Sequence, residues 1–291
     1  MAVSKNDVLA VKGQGFLQNR GTDCFSGRIV PAGCVFSGED LEAVALCAKK
    51  FGNGKIAFTS RLAAEIVGIP FEKIPEAKAF MAERNLYFGG TGAKIRPITA
   101  CKGTTCVYGN FDTQALAKKI HEDYYVGWAD VKLPHKFKIG IGGCPNSCVK
   151  PSLNDFGIEG HRVPLYNKED CRGCTLCQVE FGCPSKAVFM AEGKMNIDRE
   201  KCRNCGVCIE KCPFKIMKSQ QNTVYQIYVG GTWGKHCRMG TPLPNLVSES
   251  EIFPILEGTM LWFQKNGEPK ERLGMAIDRL GFDRFCSDIF D

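Results

Sequence analysis

The chain has 291 residues, of which 44% are apolar, so it can bury a substantial core in one large domain with a smaller one, or in two similar domains. It contains no apolar run of about 18 residues that could span a membrane, and its N-terminal sequence lacks the pattern of a signal peptide, so we expect a cytoplasmic protein. The formal charge of +7 comes from basic residues interspersed with acidic ones, which argues against nucleic-acid binding and suits anionic cofactors and an anionic substrate.

The first part of the chain predicts a β-α-β unit. Residues 24–31 have the pattern of a strand, and Ser37 is the predicted N-cap of a helix that stops at Gly52. Residues 55–70 begin like a strand and close on a proline. Residues 75–86 predict a second helix, which precedes a pair of glycines.

Farther along, predicted strands lead into pairs of cysteines. Strands are predicted over residues 95–100 and 136–143, with a helix over 113–125 between them. The pairs that follow these strands are Cys101-x4-Cys106 and Cys144-x3-Cys148. Because each pair follows the end of a strand, the four thiols could share one tetrathiolate site. The spacing alone leaves open a zinc site or a group of buried thiols.

The stretch over residues 166–219 contains two cysteine-rich loops of similar build, separated by a predicted hairpin, GKMNID. The two runs are Cys171-x2-Cys174-x2-Cys177-x5-Cys183-Pro and Cys202-x2-Cys205-x2-Cys208-x3-Cys212-Pro. This is the spacing of a two-cluster ferredoxin, in which the fourth cysteine of each run ligates the other cluster. We therefore predict one [4Fe-4S] cluster on Cys171, Cys174, Cys177 and Cys212, and another on Cys202, Cys205, Cys208 and Cys183. Zinc is the alternative, but the third closely spaced cysteine of each run is redundant for it.

After this insert, residues 224–234 predict a strand followed by a glycine turn. Two closing helices follow, and Ser248 or Ser250 is the predicted N-cap of the first. The cysteines are expected to be reduced, because most lie at ligand spacings in a chain without an export signal. The predicted fold class is α+β, with an inserted ferredoxin-like domain.

The flanking sequence around the cysteine pairs has a specific resemblance. The segments ITACKGTTC and KFKIGIGGCPNSCVKPSLNDFGIEG resemble the cluster-binding halves of the siroheme-dependent sulfite and nitrite reductases. CFSGRIVPAGC near the N-terminus, and VYQIYVGGTWGKHCRMG and KERLGMAIDRLGF after the insert, extend this resemblance over nearly the whole chain. With its single unit and inserted ferredoxin, the chain resembles the C subunit of anaerobic sulfite reductase and the dissimilatory-type sulfite reductase-like proteins.

The resemblance implies three domains. The first is a ferredoxin-like half-domain over residues 1–70. The second binds siroheme and a [4Fe-4S] cluster, and comprises residues 71–165 continued by 220–291. The third is the inserted two-cluster ferredoxin domain over residues 166–219.

The same resemblance implies roles for individual residues. A third [4Fe-4S] cluster is implied on Cys101, Cys106, Cys144 and Cys148, the last of which also bridges to the siroheme iron. The implied anion-binding, catalytic residues are Arg28, Arg96, Lys136 and Lys138. Arg61 matches a siroheme-contacting arginine of the family, and alternation along a strand puts Lys136 and Lys138 on one face. Further candidates for the siroheme rim are Arg20, Lys102, Lys150 and Lys235.

These features imply a sulfite reductase that makes sulfide with six electrons, which enter through the insert. Nitrite reduction to ammonia and a non-catalytic electron-transfer subunit are the alternatives. The chain departs from the larger enzymes in the four-residue gap of its first cysteine pair, in its apolar residues 62–64, and in having one copy of the unit instead of two. We therefore expect a homo-oligomer or a hetero-complex, with ferredoxin or dedicated subunits as the source of electrons.

Overall fold

The computed structural model of the chain describes residues 3–219 and 223–290. Its elements form a four-stranded antiparallel sheet, a five-stranded mixed sheet and a small insert, and each of these parts has an apolar core. None of the helices within the two described ranges is long and apolar enough to cross a membrane.

The N-terminal part follows the predicted β-α-β pattern. It comprises α1 (Lys5–Lys12), β1 (Phe16–Gln18), β2 (Cys24–Ile29), α2 (Gly38–Phe51), β3 (Ile56–Phe58), β4 (Ala64–Pro70) and α3 (Ile74–Ala82). The strands pair in the order β1-β2-β4-β3, and this register sets Arg28 of β2 opposite Glu65 of β4. Helix α2 begins after Ser37, whose hydroxyl accepts the amide hydrogen of Asp40, and ends before Gly52.

Helix α3 belongs to this first core. Its residues Ile74, Ala77 and Met81 pack with the first sheet, so the core extends past residue 70, where the sequence places the domain boundary. The helix ends at Ala82, short of the predicted end at residue 86, because Asn85 has a left-handed φ of 56° that terminates the helical path.

The second sheet positions the cysteine pairs. Its strands are β5 (Thr99–Ala100), β6 (Ile139–Gly142), β7 (Phe156–His161), β12 (Val224–Val229) and β13 (Thr241–Pro242), in the order β13-β12-β7-β6-β5. Strands β5, β6 and β7 are parallel, and β12 is antiparallel to β7. Strand β6 needs its glycines, because a Cβ atom at Gly140 would lie 2.4 Å from Nδ2 of Asn154. The segment that follows Cys148 therefore packs directly on the strand that precedes Cys144.

Four helices pack on this sheet: α4 (Thr113–Ile120), α6 (Glu249–Asn266), α7 (Leu273–Leu280) and α8 (Phe282–Phe290). The predicted helix over 113–125 changes to a π-helical turn at His121–Val126. Ser248 caps α6 in a capping box with Glu251. The second predicted closing helix is wrong as a single element, because Gly281, with a φ of 97°, separates α7 from α8.

The insert is closed at its base by the pairing of β8 (Pro164–Leu165) with β11 (Lys218–Ser219). The predicted hairpin is present as β9 (Val188–Ala191) and β10 (Lys194–Ile197), with α5 (Gln178–Phe181) packed on β9. The turn of this hairpin has positive φ at Glu192 and Gly193, as its twist requires. The predicted return to the second domain at residue 220 falls on residues 220–222, which lie outside the described residues.

Candidate active site and cluster sites

The four cysteines of the two pairs lie at one edge of the second sheet. Parallel pairing of β5 with β6 aligns Ala100 with Ile141, so the loops after both strands start side by side. The Cys101 sulfur accepts hydrogen bonds from the amides of Gly103 (3.5 Å) and Gly143 (3.1 Å). Burial raises the pKa of the Cys144 thiol, and the other three cysteines of the pairs raise it further. The structure therefore brings all four thiols into one neighbourhood.

Cys148 is the exposed member of this group and faces a cleft of about 290 Å³. The lining residues of this cleft, which we call the Cys148 cleft, are Ser60, Arg61, Leu62, Thr99, Lys138, Cys148, Val149, Lys150, Leu153, Asn154 and Trp233. Lys150 adds a cation above the exposed Trp233 ring, at 5.0 Å from its centroid. A larger cleft of about 730 Å³ near the start of α6 is lined by none of the predicted site residues within the described chain.

Lys138 is the predicted anion-binding residue that lines the Cys148 cleft. Burial lowers its pKa to about 8, and the nearby Arg61, Arg272 and Lys136 contribute to this shift. The pKa of Lys136 is lowered too, by burial and then by Arg272 and Arg96. Both lysines therefore lie in one positive environment, in which an ammonium is easily neutralised by an anion or by loss of a proton.

Arg61 joins the two sheets at the floor of the cleft. Its guanidinium donates to the carbonyl oxygens of Pro97 (2.8 Å) and Ile139 (2.7 Å), and to Oδ1 of Asn154 (2.8 Å). Burial lowers its pKa to about 10. These three bonds fix the first sheet against the strands that carry the cysteine pairs, so Arg61 has a structural role besides any contact with a cofactor.

Arg28 and Arg96 form a second cationic group beside the cleft, and both donate to the carbonyl oxygen of Gly90, at 2.9 and 2.8 Å. Arg28 also forms an ion pair with Glu65, at 2.6 Å between Nη2 and Oε1. Neither arginine, nor Lys136, is among the described residues that line the Cys148 cleft. The four predicted anion-binding residues are thus near one another, but Lys138 alone among them lines the cleft, and Glu65 offsets the charge of Arg28.

Asp155 and Arg272 form an ion pair beside Lys138, and the sequence did not single them out. Asp155 is fully buried, accepts the backbone N–H of Lys138 at 2.8 Å and pairs with Arg272 at 2.7 Å. Arg272 comes from the chain just before α7 and lowers the pKa of Lys138. The available signal was a charged residue directly before the apolar strand β7, inside a segment that already carried the family resemblance.

The insert holds its eight cysteines in two groups. Cys171, Cys174, Cys177 and Cys212 line one small cavity, which we call the outer site. Cys183, Cys202, Cys205 and Cys208 line another, the inner site. Amides donate to the sulfurs here too, from Met195 to Cys171 and from Ala187 to Cys183, each at 3.3 Å. Each cavity thus combines three cysteines of one run with the fourth of the other, the grouping predicted for two cubane clusters.

The described residues contain no three His, Cys, Asp or Glu side chains grouped closely enough to hold a single metal ion. The remaining candidates for the siroheme rim differ in position. Lys150 lines the Cys148 cleft, whereas Arg20, Lys102 and Lys235 are not among its described lining residues.

Comparison with known proteins identifies the family. A family model for the nitrite and sulphite reductase 4Fe-4S domain matches residues 91–290, and a model for the nitrite/sulfite reductase ferredoxin-like half domain matches residues 17–84. The coenzyme F420-dependent sulfite reductase of Methanocaldococcus jannaschii is 30% identical over 272 residues, which are 92% of this chain and 42% of that protein. The chain therefore spans less than half the length of this relative.

Other relatives are closer to this chain in length. The C subunit of the anaerobic sulfite reductase of Salmonella typhimurium is 28% identical over 298 residues, covering 94% of this chain and 83% of that protein. The crystal structure of dissimilatory sulfite reductase I has the same fold, with a TM-score of 0.73 at 24% identity over 91% of this chain and 68% of that one. The resemblance and the mixed helix and sheet fold inferred from the sequence are therefore confirmed. Because one family model alone matches more than half of its residues, the chain belongs to the nitrite and sulphite reductase family.

Proposed function

We propose that this chain is a siroheme sulfite reductase, or the siroheme-binding subunit of one, and that it reduces sulfite to sulfide with electrons delivered through [4Fe-4S] clusters. The observation that carries the proposal is the Cys148 cleft, where an exposed thiol of the four-cysteine group meets the cations Arg61, Lys138 and Lys150. A thiolate that faces a positively charged cavity suits an iron macrocycle with anionic substituents and an anionic substrate.

The donor groups fit the implied cofactors. Four thiols in one neighbourhood, with two amides that donate to the Cys101 sulfur, are typical of a [4Fe-4S] site. In our proposal Cys101, Cys106, Cys144 and Cys148 hold the third cluster, and Cys148 also ligates the siroheme. The inner and outer sites hold the two ferredoxin-type clusters. When bound, these groups would store electrons and deliver them to sulfite.

The protein's own contribution is charge and position. Lys138 and Lys136 bind the sulfite oxygens as ammonium groups, supported by Arg96 and by the Arg272–Asp155 pair behind them. With a pKa near 8, Lys138 can also donate a proton to a departing oxygen at neutral pH and regain one afterwards. The backbone bond from Lys138 to buried Asp155 holds this lysine in place.

The chain is proposed to work in an assembly. Several relatives are named as subunits of sulfite reductases, and the Cys148 cleft is built by one copy of the family unit. A second copy, or another subunit, would then complete the siroheme pocket, and a ferredoxin or dedicated subunit would supply the electrons. A cytoplasmic location remains our expectation for this protein.

The test is an absorption spectrum of the purified protein with iron and acid-labile sulfide analysis. Siroheme bands together with about twelve cluster irons per chain would support the proposal. A colourless, zinc-containing protein would contradict it. Relative rates with sulfite and nitrite would then decide the substrate. Faster turnover of nitrite would identify nitrite as the substrate of the same site.

A further inference from the structure

We infer that electrons leave the insert through the inner site. We also infer that Asn110 is a positioning residue that couples this site to the four cysteines that follow β5 and β6 of the second sheet. The inference rests on the proposed function, because it takes the cysteine groups to hold iron–sulfur clusters.

The loop of the inner site is bonded onto the end of strand β7. The backbone N–H of Arg162 donates to the carbonyl oxygen of Asn204 at 2.8 Å. Nδ1 of the buried His161 lies 3.1 Å from the carbonyl oxygen of Arg203. Residues 203–204 lie between Cys202 and Cys205, so these bonds fix the inner cysteines relative to the second sheet.

Asn110 extends this connection to the Cys101 sulfur. Its side-chain Nδ2 donates to the carbonyl oxygen of Gly160 near the end of β7, at 3.2 Å. Its backbone N–H donates to the carbonyl oxygen of Gly143, at 2.9 Å. The amide of Gly143 in turn donates to the sulfur of Cys101 at 3.1 Å. Asn110 therefore connects the strand that holds the inner site with the loop that holds the third group of cysteines.

Close packing at Gly206 completes the junction. Gly206 follows Cys205 and has a φ of 78°, and a Cβ atom there would lie 2.9 Å from Cβ of Arg162 and 3.4 Å from Oδ1 of Asn110. The glycine thus lets the inner loop approach Asn110 directly. A side chain at this position would clash with Arg162, and the positive φ of Gly206 also favours glycine.

The outer site is bonded within the insert itself. Within the described chain its cavity is lined by insert residues. The backbone N–H of Met195 donates to the sulfur of Cys171, and the ammonium of Lys194 donates to the carbonyl oxygen of Cys171; both donors belong to β10. Leu176 beside this cavity is 84% exposed. The outer site is thus placed to receive electrons from a donor, and the inner site to pass them on.

With clusters bound at the three cysteine groups, one electron at a time would pass from the outer site to the inner site and then to the group of Cys101, Cys106, Cys144 and Cys148. Each transfer would oxidise one centre as it reduces the next, with no bond made or broken, and a low-potential one-electron reductant such as dithionite would resupply the outer site. Because Asn110 touches neither substrate nor reacting atoms, its removal should change the rate of this transfer without changing the number of cofactors.

The test mixes the oxidised, cofactor-loaded protein with dithionite and follows the clusters by rapid-freeze electron paramagnetic resonance. In Asn110→Ala the insert clusters should be reduced at the wild-type rate, whereas reduction of the third cluster should slow roughly 10-fold or more, which is the scale of activity lost when a group that orients a metal ligand is removed. Asn110→Asp, which keeps the shape but loses the Nδ2 donor, serves if the alanine variant does not fold. Asn196→Ala is the matched control, since Asn196 donates to Lys194 within the β9–β10 hairpin and its loss should leave both rates unchanged.

A matched pair of ligand variants tests the direction. Cys183→Ser should alter the signal of the insert cluster with the stronger magnetic coupling to the third cluster, and Cys212→Ser that of the weakly coupled one. The reverse result would overturn the direction, and an unchanged transfer rate in fully loaded Asn110 variants would overturn the role of Asn110. Iron analysis of the wild type keeps the two proposals apart. A missing third cluster would contradict the proposed function and the inference that rests on it, whereas a full set of clusters with an unchanged transfer rate in the Asn110 variants would contradict the inference alone.

Discussion

The insert and the Cys148 cleft both gather cysteines, but they do so by different means. In the insert, each group takes three cysteines from one short run, and the amides that bond to the sulfurs come from the same domain. At the cleft, two pairs from separate loops meet because β5 and β6 are parallel neighbours. The cleft also depends on Arg61 from the first sheet and on Arg272, which lies just before α7.

The difference shows where each function is encoded. The cluster sites of the insert follow from local spacing, so changes elsewhere in the chain should leave them intact. The cleft follows from topology and long-range ion pairs, so it should be damaged by changes far from the cysteines. We therefore expect variants of the cleft to lose sulfite reduction while the cluster sites of the insert stay intact in the same protein.

The largest effect is expected from Cys148→Ser. If this thiolate connects the third cluster to the siroheme, its loss should abolish sulfite reduction, while the insert clusters still accept electrons from dithionite. Steady-state turnover and the electron paramagnetic resonance signals of the insert would be measured together. Cys237→Ser, which removes another exposed thiol, is the control and should keep full activity; loss of activity in both variants would contradict a specific role for Cys148.

Removal of the two proposed anion-binding lysines, Lys136 and Lys138, should have the next largest effect. Lys136→Ala with Lys138→Ala should lower kcat/KM for sulfite by at least about 100-fold, because charged groups aimed at developing negative charge contribute on this scale. The visible spectrum should be unchanged. Lys49→Ala, at an exposed position on α2, controls for the loss of a positive charge, and unchanged turnover in the double variant would rule out the proposed anion site.

Asp155→Asn should make the domain built on the second sheet easier to unfold and should leave the stability of the insert unchanged. It leaves Arg272, whose side chain is only 13% exposed, without its carboxylate, so the free energy of unfolding should fall by about 3 kcal/mol. Urea unfolding followed by tryptophan fluorescence measures this loss. The control Asp278→Asn breaks the more exposed pair with Arg238 and should cost less than about 1 kcal/mol. Equal losses in the two variants would contradict the buried, structural role of Asp155.

The smallest effect concerns pH. Because burial and neighbouring cations lower the pKa of Lys138 to about 8, its positive charge is present below this pH and is lost as the pH rises through it. KM for sulfite should therefore increase above about pH 8 in the wild type. Lys138→Arg stays charged and should keep a low KM to higher pH. Since ionisation of sulfite itself affects both proteins alike, identical pH profiles would exclude Lys138 as the titrating group.

Local signals in the sequence predicted local structure. The Ser37 cap, the GKMNID hairpin and the capping box at Ser248 depend on residues a few positions apart, and all are present. The end of α3 and the break at Gly281 were missed because a single left-handed residue decides each of them. The grouping of the insert cysteines likewise follows from the spacing of two neighbouring runs.

Long-range partners were beyond the reach of a single sequence. Asp155 and Arg272 are 117 positions apart, and Arg28 and Glu65 are 37 apart, so neither pair has a spacing that identifies it. The family resemblance supplied the basic residues of the site, but not the carboxylates that hold or neutralise them. The contact of Asn110 with Gly160 also joins a loop to a strand 50 positions away, and it became visible only when the sheet placed them together.

The stoichiometry of turnover by the cofactor-loaded protein tests the proposed function most directly. With reduced methyl viologen as donor and sulfite as substrate, we predict that sulfide is formed and that six electrons are consumed for each sulfide released. A fully loaded protein that oxidises the donor without forming sulfide, or that leaves sulfite unreduced, would contradict the proposal that the Cys148 cleft is a sulfite reductase active site.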